Sequence, residues 1–348
     1  MNKKITINEL INTLLDTENP VQAKYIYRLS DLSDSDLAKI KKIWHKIPDW
    51  RRQALLEDTE LMAADDTLLS FTALGKFALE DPNEHVRALA IRNLWESEDT
   101  TIIPKLLEML MSDNSEEVRA NAATSLGQFV YLGEIEELKE KILHEIEEKL
   151  ISVYRGNDTL LVRRRALEAL GFSSRPEVDE FLDEAYHSGN RDLLVSALFA
   201  MGRSANSVWL PYVEKMLDHK DAEVRMEAAR AAGGLEAKSC RDLLFKLVND
   251  DDENVRQAAI WSLSEIGGED VQDLFMELYN NTEDDEELNF LEDALDNLAF
   301  TNDVGFFTLM DIDEEGHLHY QEDEAEDDIF DDEDLDDLLD LHLDDDDE

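Results

Sequence analysis

The chain has 348 residues, enough for a sizeable core, and its 84 acidic against 33 basic residues give a formal net charge of −51. Such a surface repels DNA, RNA and anionic membranes and attracts basic partners, so neither direct nucleic-acid binding nor membrane binding is expected. One cysteine, Cys240, excludes an intrachain disulfide and a thiolate metal cluster, and no window approaches the roughly 18 apolar residues of a membrane span.

Residues 1–20 lack the continuous apolar run and small-residue cleavage site of a secretion signal, with Glu9 interrupting them, so the cytoplasm is the expected compartment. NELINTLL (8–15) and VQAKYIYRL (21–29) have helical spacing, and Pro20 stands where a helix start tolerates it. Ser33 to Asp36 open a third helix whose Leu37, Ile40, Ile43 and Trp44 form one stripe. Pro48 ends it and starts DWRRQALLEDTELMAA, followed by TLLSFTALGKFALE. Lys39, Lys41, Lys42, Lys46, Arg51 and Arg52 make this the most basic part of the chain, and a solvated helical face is the expected reason. Residues 1–80 are read as an N-terminal helical region capping the solenoid that begins at Asp81.

From Asp81 one line recurs: DPNEHVRALAIRNLW, DNSEEVRANAATSLG, GNDTLLVRRRALEALG, GNRDLLVSALFAMG, HKDAEVRMEAARAAGG and DDENVRQAAIWSLSEIGG. With Val86, Val118, Val162, Leu193, Val224 and Val255 as equivalents, the spacings are 32, 44, 31, 31 and 31. A period in this range indicates stacked supersecondary units, each a first helix, a tight turn and a second helix opened by Val-Arg. Small apolar pairs four and five residues on, such as Ala122-Ala123 and Ala228-Ala229, let layers approach. Gly127, Gly171, Gly202 and Gly233 at position nine supply close backbone approach or a left-handed cap. The arginines after the valine (Arg87, Arg119, Arg163, Arg225 and Arg256) follow acidic turns, and bonds to the turn of their own or the next repeat are expected. The long interval contains GEIEELKEKILHEIEEKLISV, 133–153, read as one helix longer than its neighbours. After Glu283 the register is lost, as at a terminal cap, and the repeats are bounded at 81–300.

Positions two, three and six after the valine differ between units, and are expected to point away from the packed faces. Second helices commonly line the concave side of a solenoid. Arg92, Arg164, Arg165, Phe199, Arg230 and Trp261 are therefore the candidate protein-binding residues, since arginine and large aromatics anchor interfaces. The competing reading is that Phe199 and Trp261 fill gaps between layers of unequal size.

Residues 301–348 hold 23 of the acids and no lysine or arginine, which predicts a largely disordered acidic tail, at least from Glu322. Ile329, Phe330, Leu335, Leu338, Leu339, Leu341 and Leu343 alternate with acid, the pattern of a segment that folds on a partner or back onto its own solenoid. DIDEEGHLHYQE from Asp311 has the spacing of a calcium-binding EF-hand loop, but Glu315 at position five and the flanks fit poorly. A short β-hairpin within 306–321 is the preferred reading.

The repeated line is that of HEAT repeats, of the short bacterial kind grouped with those of phycobilin lyases. LSDLSDSDLAKIKKIWHKIPDWRRQALL, DPNEHVRALAIRNLWE, RRRALEALGFS and SALFAMGRSA resemble a HEAT-repeat family of Chloroflexi-type bacteria with no assigned activity. The resemblance implies an all-α fold, a right-handed α-solenoid of HEAT-like helical hairpins, and no mechanism. No nucleophile-base-acid set, phosphate loop, dinucleotide loop or HExxH stands in the sequence, and no cofactor or metal is expected. The expected function is a non-enzymatic protein-binding scaffold or adaptor, its partner carrying a basic or extended segment. The alternatives are a phycobilin-lyase-like enzyme or enzyme accessory subunit, and a nucleic-acid mimic or chaperone for a basic protein.

Overall fold

The computed structural model describes residues 5–308 except Glu96, and two short strands beyond them; side chains of Glu269 and from residue 303 onward lie outside that description. The helices are α1 (Ile7–Leu15), α2 (Ala23–Tyr27), α3 (Asp34–Ile43), α4 (Asp49–Asp65), α5 (Thr72–Ala78), α6 (Glu84–Arg92), α7 (Ile103–Ser112), α8 (Glu116–Glu134) and α9 (Glu140–Arg155). They continue as α10 (Leu160–Leu170), α11 (Pro176–His187), α12 (Arg191–Arg203), α13 (Leu210–Met216), α14 (Ala222–Gly234), α15 (Arg241–Leu247), α16 (Glu253–Ile266), α17 (Glu269–Asn281) and α18 (Asp285–Thr308). No described helix is long and apolar enough to cross a membrane.

The repeat is a capped helix before it is a packed one. Asn83, Ser115, Thr159, Asn190, Asp221 and Asp252 stand three residues before the six aligned apolar residues, and each side chain accepts a backbone N–H of the helix it opens. Each such cap contributes about 1 kcal/mol. Val86, Val118, Val162, Val224 and Val255 are then buried among the leucines of the paired first helix.

Successive second helices are tied at their turns by the arginine that follows the valine. Arg87 donates from Nη1 to the carbonyl of Asp81 in its own turn, and from Nε and Nη2 to both carboxylate oxygens of Asp113 in the next, at 2.8 Å each. Arg119 does the same between Asp113 and Asp158, and Arg225 between His219 and Asp250. Such two-pronged charge-assisted bonds set the rotation of one layer on the next. Arg256 keeps only the bond to its own turn, at Asp250, and Arg163 donates to the Tyr154 carbonyl.

The ladder begins earlier than the sequence repeat. Arg52 on α4 donates to Asp81 Oδ1 at 3.0 Å, taking the place that Arg87 takes toward Asp113, while Trp44 Nε1 donates to the other oxygen at 2.6 Å. Helix α4 packs on α6 as the later second helices pack on one another. Arg51 and Arg52 are thus buried, not solvated: Arg51 donates to the Thr13 and Asn19 carbonyls, closing the end of α1 over the stack.

Residues 133–153 differ from the single long helix expected there. Helix α8 runs to Glu134, the chain reverses through Glu136 at φ 65, and α9 begins at Glu140. The N–H groups of Glu137 and Leu138 close on the Leu132 carbonyl, and Leu138 is buried. A helix-ending bond pair plus one anchored leucine outweighs the continuous stripe. The extra residues of the 44-residue interval lengthen α8 and α9.

Second helices approach closely where position nine is glycine. A Cβ on Gly171 would lie 2.7 Å from Ala200 Cα, and one on Gly202 2.7 Å from Ala231 Cα, so no side chain fits either site. At the C-terminal end α18 packs on α16 and α17. Met310–Ile312 pairs antiparallel with Leu318–Tyr320, Met310 opposite Tyr320. Phe306 and Phe307 belong to α18 rather than to these strands. The turn between the strands, most of the calcium-loop spacing and the tail from Gln321 lie outside the described residues.

Candidate functional site

The second helices α4, α6, α8, α10, α12, α14, α16 and α18 each pack along the next, whereas the first helices touch one another little, α7 and α9 apart. Close spacing on one wall and wide spacing on the other make the second-helix wall the concave one.

On that wall, positions two and three mostly do not point outward as expected, although Gln257 is exposed and Asn121, Arg164, Arg165 and Met226 are partly so. Ala88, Leu89, Ala120, Val195, Ser196, Glu227 and Ala258 are buried, because these positions turn toward the neighbouring second helix. Asn121 donates to the Ala88 carbonyl, and Ser196 donates to Glu168 at 2.6 Å, both across helices. The outward line runs through positions six and ten, one helical turn apart on a single face. It comprises Thr124 and Gln128, Phe172, Phe199 and Arg203, Arg230 and Gly234, and Trp261 and Glu265, whereas Glu168 at position six of its unit is buried.

Four of the six candidate residues open onto this line in two hollows. The first, about 340 Å³, is lined by Arg92, Trp95, Gln128, Tyr131, Phe172 and Arg203, among others. The second, about 330 Å³, is lined by Phe199, Arg203, Glu227, Arg230, Trp261 and Glu265, among others. Arg203 borders both and joins them into one strip. Arg164 and Arg165 line neither; Arg164 donates to Ser196 at 2.8 Å and Arg165 to Glu168 at 2.5 Å.

The strip is less basic than its arginines suggest. Arg92 donates to Glu60 at 2.8 Å, and Arg230 stands 3.7 Å from Glu227. Arg203 differs from all of these. Its guanidinium lies 4.1 Å from the Phe199 ring centroid and 4.7 Å from that of Phe172, and no described acceptor hydrogen-bonds to it. Burial pushes its pKa down, while Glu168 and Glu227 act on it only through space.

Carboxylates under this wall are similarly short of partners. Glu227 is 4% exposed, and burial, only partly offset by Arg230, raises its pKa to about 7. Glu265 is pushed up by burial despite accepting from Trp261 Nε1 at 3.0 Å. Large aromatics are left open at both ends: Trp95 is 62% exposed and Trp261 38%. Phe290 from α18 comes within 6.4 Å of the Trp261 ring, so that indole is half wall and half surface.

Arg203, Trp95, Tyr131 and Phe172 escaped the sequence reading because it took positions two, three and six as the open face. Stepping four residues on from position six would have found Phe172 and Arg203. Among the described residues, no three His, Cys, Asp or Glu side chains converge as metal ligands would.

No curated protein matches the chain in sequence. Among solved structures the chain is similar to YibA of Escherichia coli, at 19% identity over 82% of this chain and 99% of that one, TM-score 0.41. It is also similar to human deoxyhypusine hydroxylase, at 19% identity over 75% and 95%, TM-score 0.33. A third is the complex of CpcE and CpcF of phycocyanin lyase from Nostoc, at 19% identity over 65% and 94%, TM-score 0.44. Residues 71–145 and 210–296 match the HEAT repeats family, and across those two stretches the stacked helical pairs are HEAT-like.

Proposed function

We propose that this protein is a non-enzymatic scaffold or adaptor in the cytoplasm that holds an extended segment of another protein along its concave wall. The observation that carries this reading is the strip from Trp95 to Trp261. Open aromatic side chains flank Arg203, which has ring contacts but no hydrogen-bond acceptor among the described residues. Interfaces draw their binding energy from such aromatic and arginine anchors in partly desolvated hollows. The acidic remainder of the surface steers basic partners toward the solenoid, and the strip provides the contact once they arrive. The resemblance to the Chloroflexi-type family brings no activity that competes with this role.

A photo-crosslinking residue placed at Trp95, at Phe199 or at Trp261, and separately at exposed Val208 and Met276 on the first-helix wall, tests it in native lysate. The expected result is one set of proteins captured from the first three positions and not from the last two. Equal capture from both walls would remove the strip from the proposal. Purified protein carrying a chromophore that absorbs in the visible would favour the lyase-like reading instead.

A further inference from the structure

We propose that residues 329–343 of this chain dock in cis on the concave wall, setting a carboxylate on Arg203 and Arg230 and bulky side chains in the adjoining hollows. This deepens the scaffold reading by naming an occupant of the same strip, and it rests on that strip being a binding surface.

Arg203 is the starting point. A guanidinium with five N–H donors, half-buried against two phenyl rings and without an acceptor among the described residues, gives up part of its hydration and recovers ring contacts. Arg230 lines the same hollow and holds Glu227 only at 3.7 Å, too far for a hydrogen bond. Glu227 itself ionises reluctantly, so the two arginines face less negative charge than the number of nearby acids suggests. The missing group is an anion. Trp95, Tyr131 and Phe172 on one side and Phe199 and Trp261 on the other require that the anion be flanked by apolar groups.

The chain contains that combination after Tyr320. Residues 321–348 include 18 acids, no lysine or arginine, and Ile329, Phe330, Leu335, Leu338, Leu339, Leu341 and Leu343 between them. An acidic segment from another molecule would have to approach a chain of charge −51, against long-range repulsion. A tethered segment meets the same repulsion but offsets it, because a short linker holds it at an effective concentration of about a millimolar. Geometry allows it. Helix α18, from which the tail leaves, packs on α16, and α16 supplies Trp261 and Glu265 to the second hollow. The nine residues from Tyr320 to Ile329 span up to about 30 Å when extended.

The test uses the full chain with a photo-crosslinking residue in place of Leu339 and no partner present. The expected products are intramolecular, independent of dilution, and joined to peptides carrying Phe172, Phe199 or Trp261. Arg203→Gln with Arg230→Gln should lower their yield at least about tenfold, as truncation of a desolvated charge pair does. Should that pair of changes disturb the solenoid, Asp331→Asn with Asp332→Asn and Asp334→Asn leaves it untouched and should lower the yield likewise. Products scattered over the first-helix wall, products between two chains, or a yield indifferent to both sets of changes would overturn the proposal. None of these outcomes touches the scaffold reading, which stands or falls on partner capture at Trp95, Phe199 and Trp261.

Discussion

Arg225 and Arg203 lie on adjacent second helices of one solenoid, and the fold treats them oppositely. Arg225, at the turn edge, reaches the His219 carbonyl and both oxygens of Asp250, all within 2.8 Å. Arg203, on the concave wall, has two ring faces and no acceptor among the described residues. The first kind recurs at Arg87 and Arg119 with the same partners in the same geometry. Among the described arginines the second, with two ring faces, is Arg203 alone, although Arg155 also stands over one ring, Phe181, with no described acceptor. In a repeat protein, a satisfied and recurring polar group belongs to the stacking, and an unsatisfied, unrepeated one is where a ligand finds something left to bond.

The largest effect expected from this contrast is at the turn edge. Arg225→Met strands Asp250, whose carboxyl is held below the ordinary range chiefly by the Arg225 hydrogen bond, and should cost about 2 to 3 kcal/mol. Urea unfolding followed by circular dichroism measures it. A loss below about half a kilocalorie would mean that the ladder is ornament on a stack held by its leucines alone.

The next concerns Glu227, and its sign runs against the usual carboxylate. Its folded pKa of about 7 lies above the ordinary 4.5, with Arg230, Glu168, Arg203 and Glu223 as its charged neighbours. Below pH 4.5 the carboxyl is protonated in both states and exacts nothing. Between about pH 4.5 and 7 the unfolded chain has released the proton while the folded one keeps it, so stability falls across that window and levels off above it, by on the order of 3 kcal/mol in all. Glu227→Gln should therefore leave stability near pH 3.5 unchanged and raise it near pH 8 by about 2 kcal/mol, its amide still being desolvated. Parallel unfolding curves for the two proteins at both pH values would place the carboxyl in a wetter site than the geometry implies.

The turn edge was legible in the sequence because its parts are local and repeated. Cap, valine, arginine and acidic turn sit at fixed offsets, and the offsets alone define the layers. The N-terminal rung was not, because Arg51 stands where the valine should be and hides Arg52 in its ladder position until Asp81 is seen beside it. The break at Glu136 was masked by a stripe of Leu138, Ile142, Ile146 and Leu150 that begins in the turn and runs on into α9 without a gap in its spacing. The concave wall was half legible. Phe199 and Trp261 were visible as departures from small residues, but which positions face outward depends on how one second helix rolls against the next. Glycines such as Gly171 and Gly202 set that roll through backbone contacts that no single repeat contains.

The smallest expected effect is the sharpest on the comparison. Arg203→Met keeps the length of the side chain and its contact with Phe172 and Phe199, and removes a guanidinium that was desolvated without an acceptor. The lost attraction to the rings is worth about 1 kcal/mol, and the relieved desolvation offsets much of it. Stability should stay within about 1 kcal/mol of the parent, against two to three times that loss for Arg225→Met measured the same way. Binding should not be spared: the same substitution should abolish tail cross-linking from position 339 and weaken partner capture at Phe199. A large loss of stability would show that Arg203 bonds within the solenoid after all, and would remove the ground on which the two arginines were set apart.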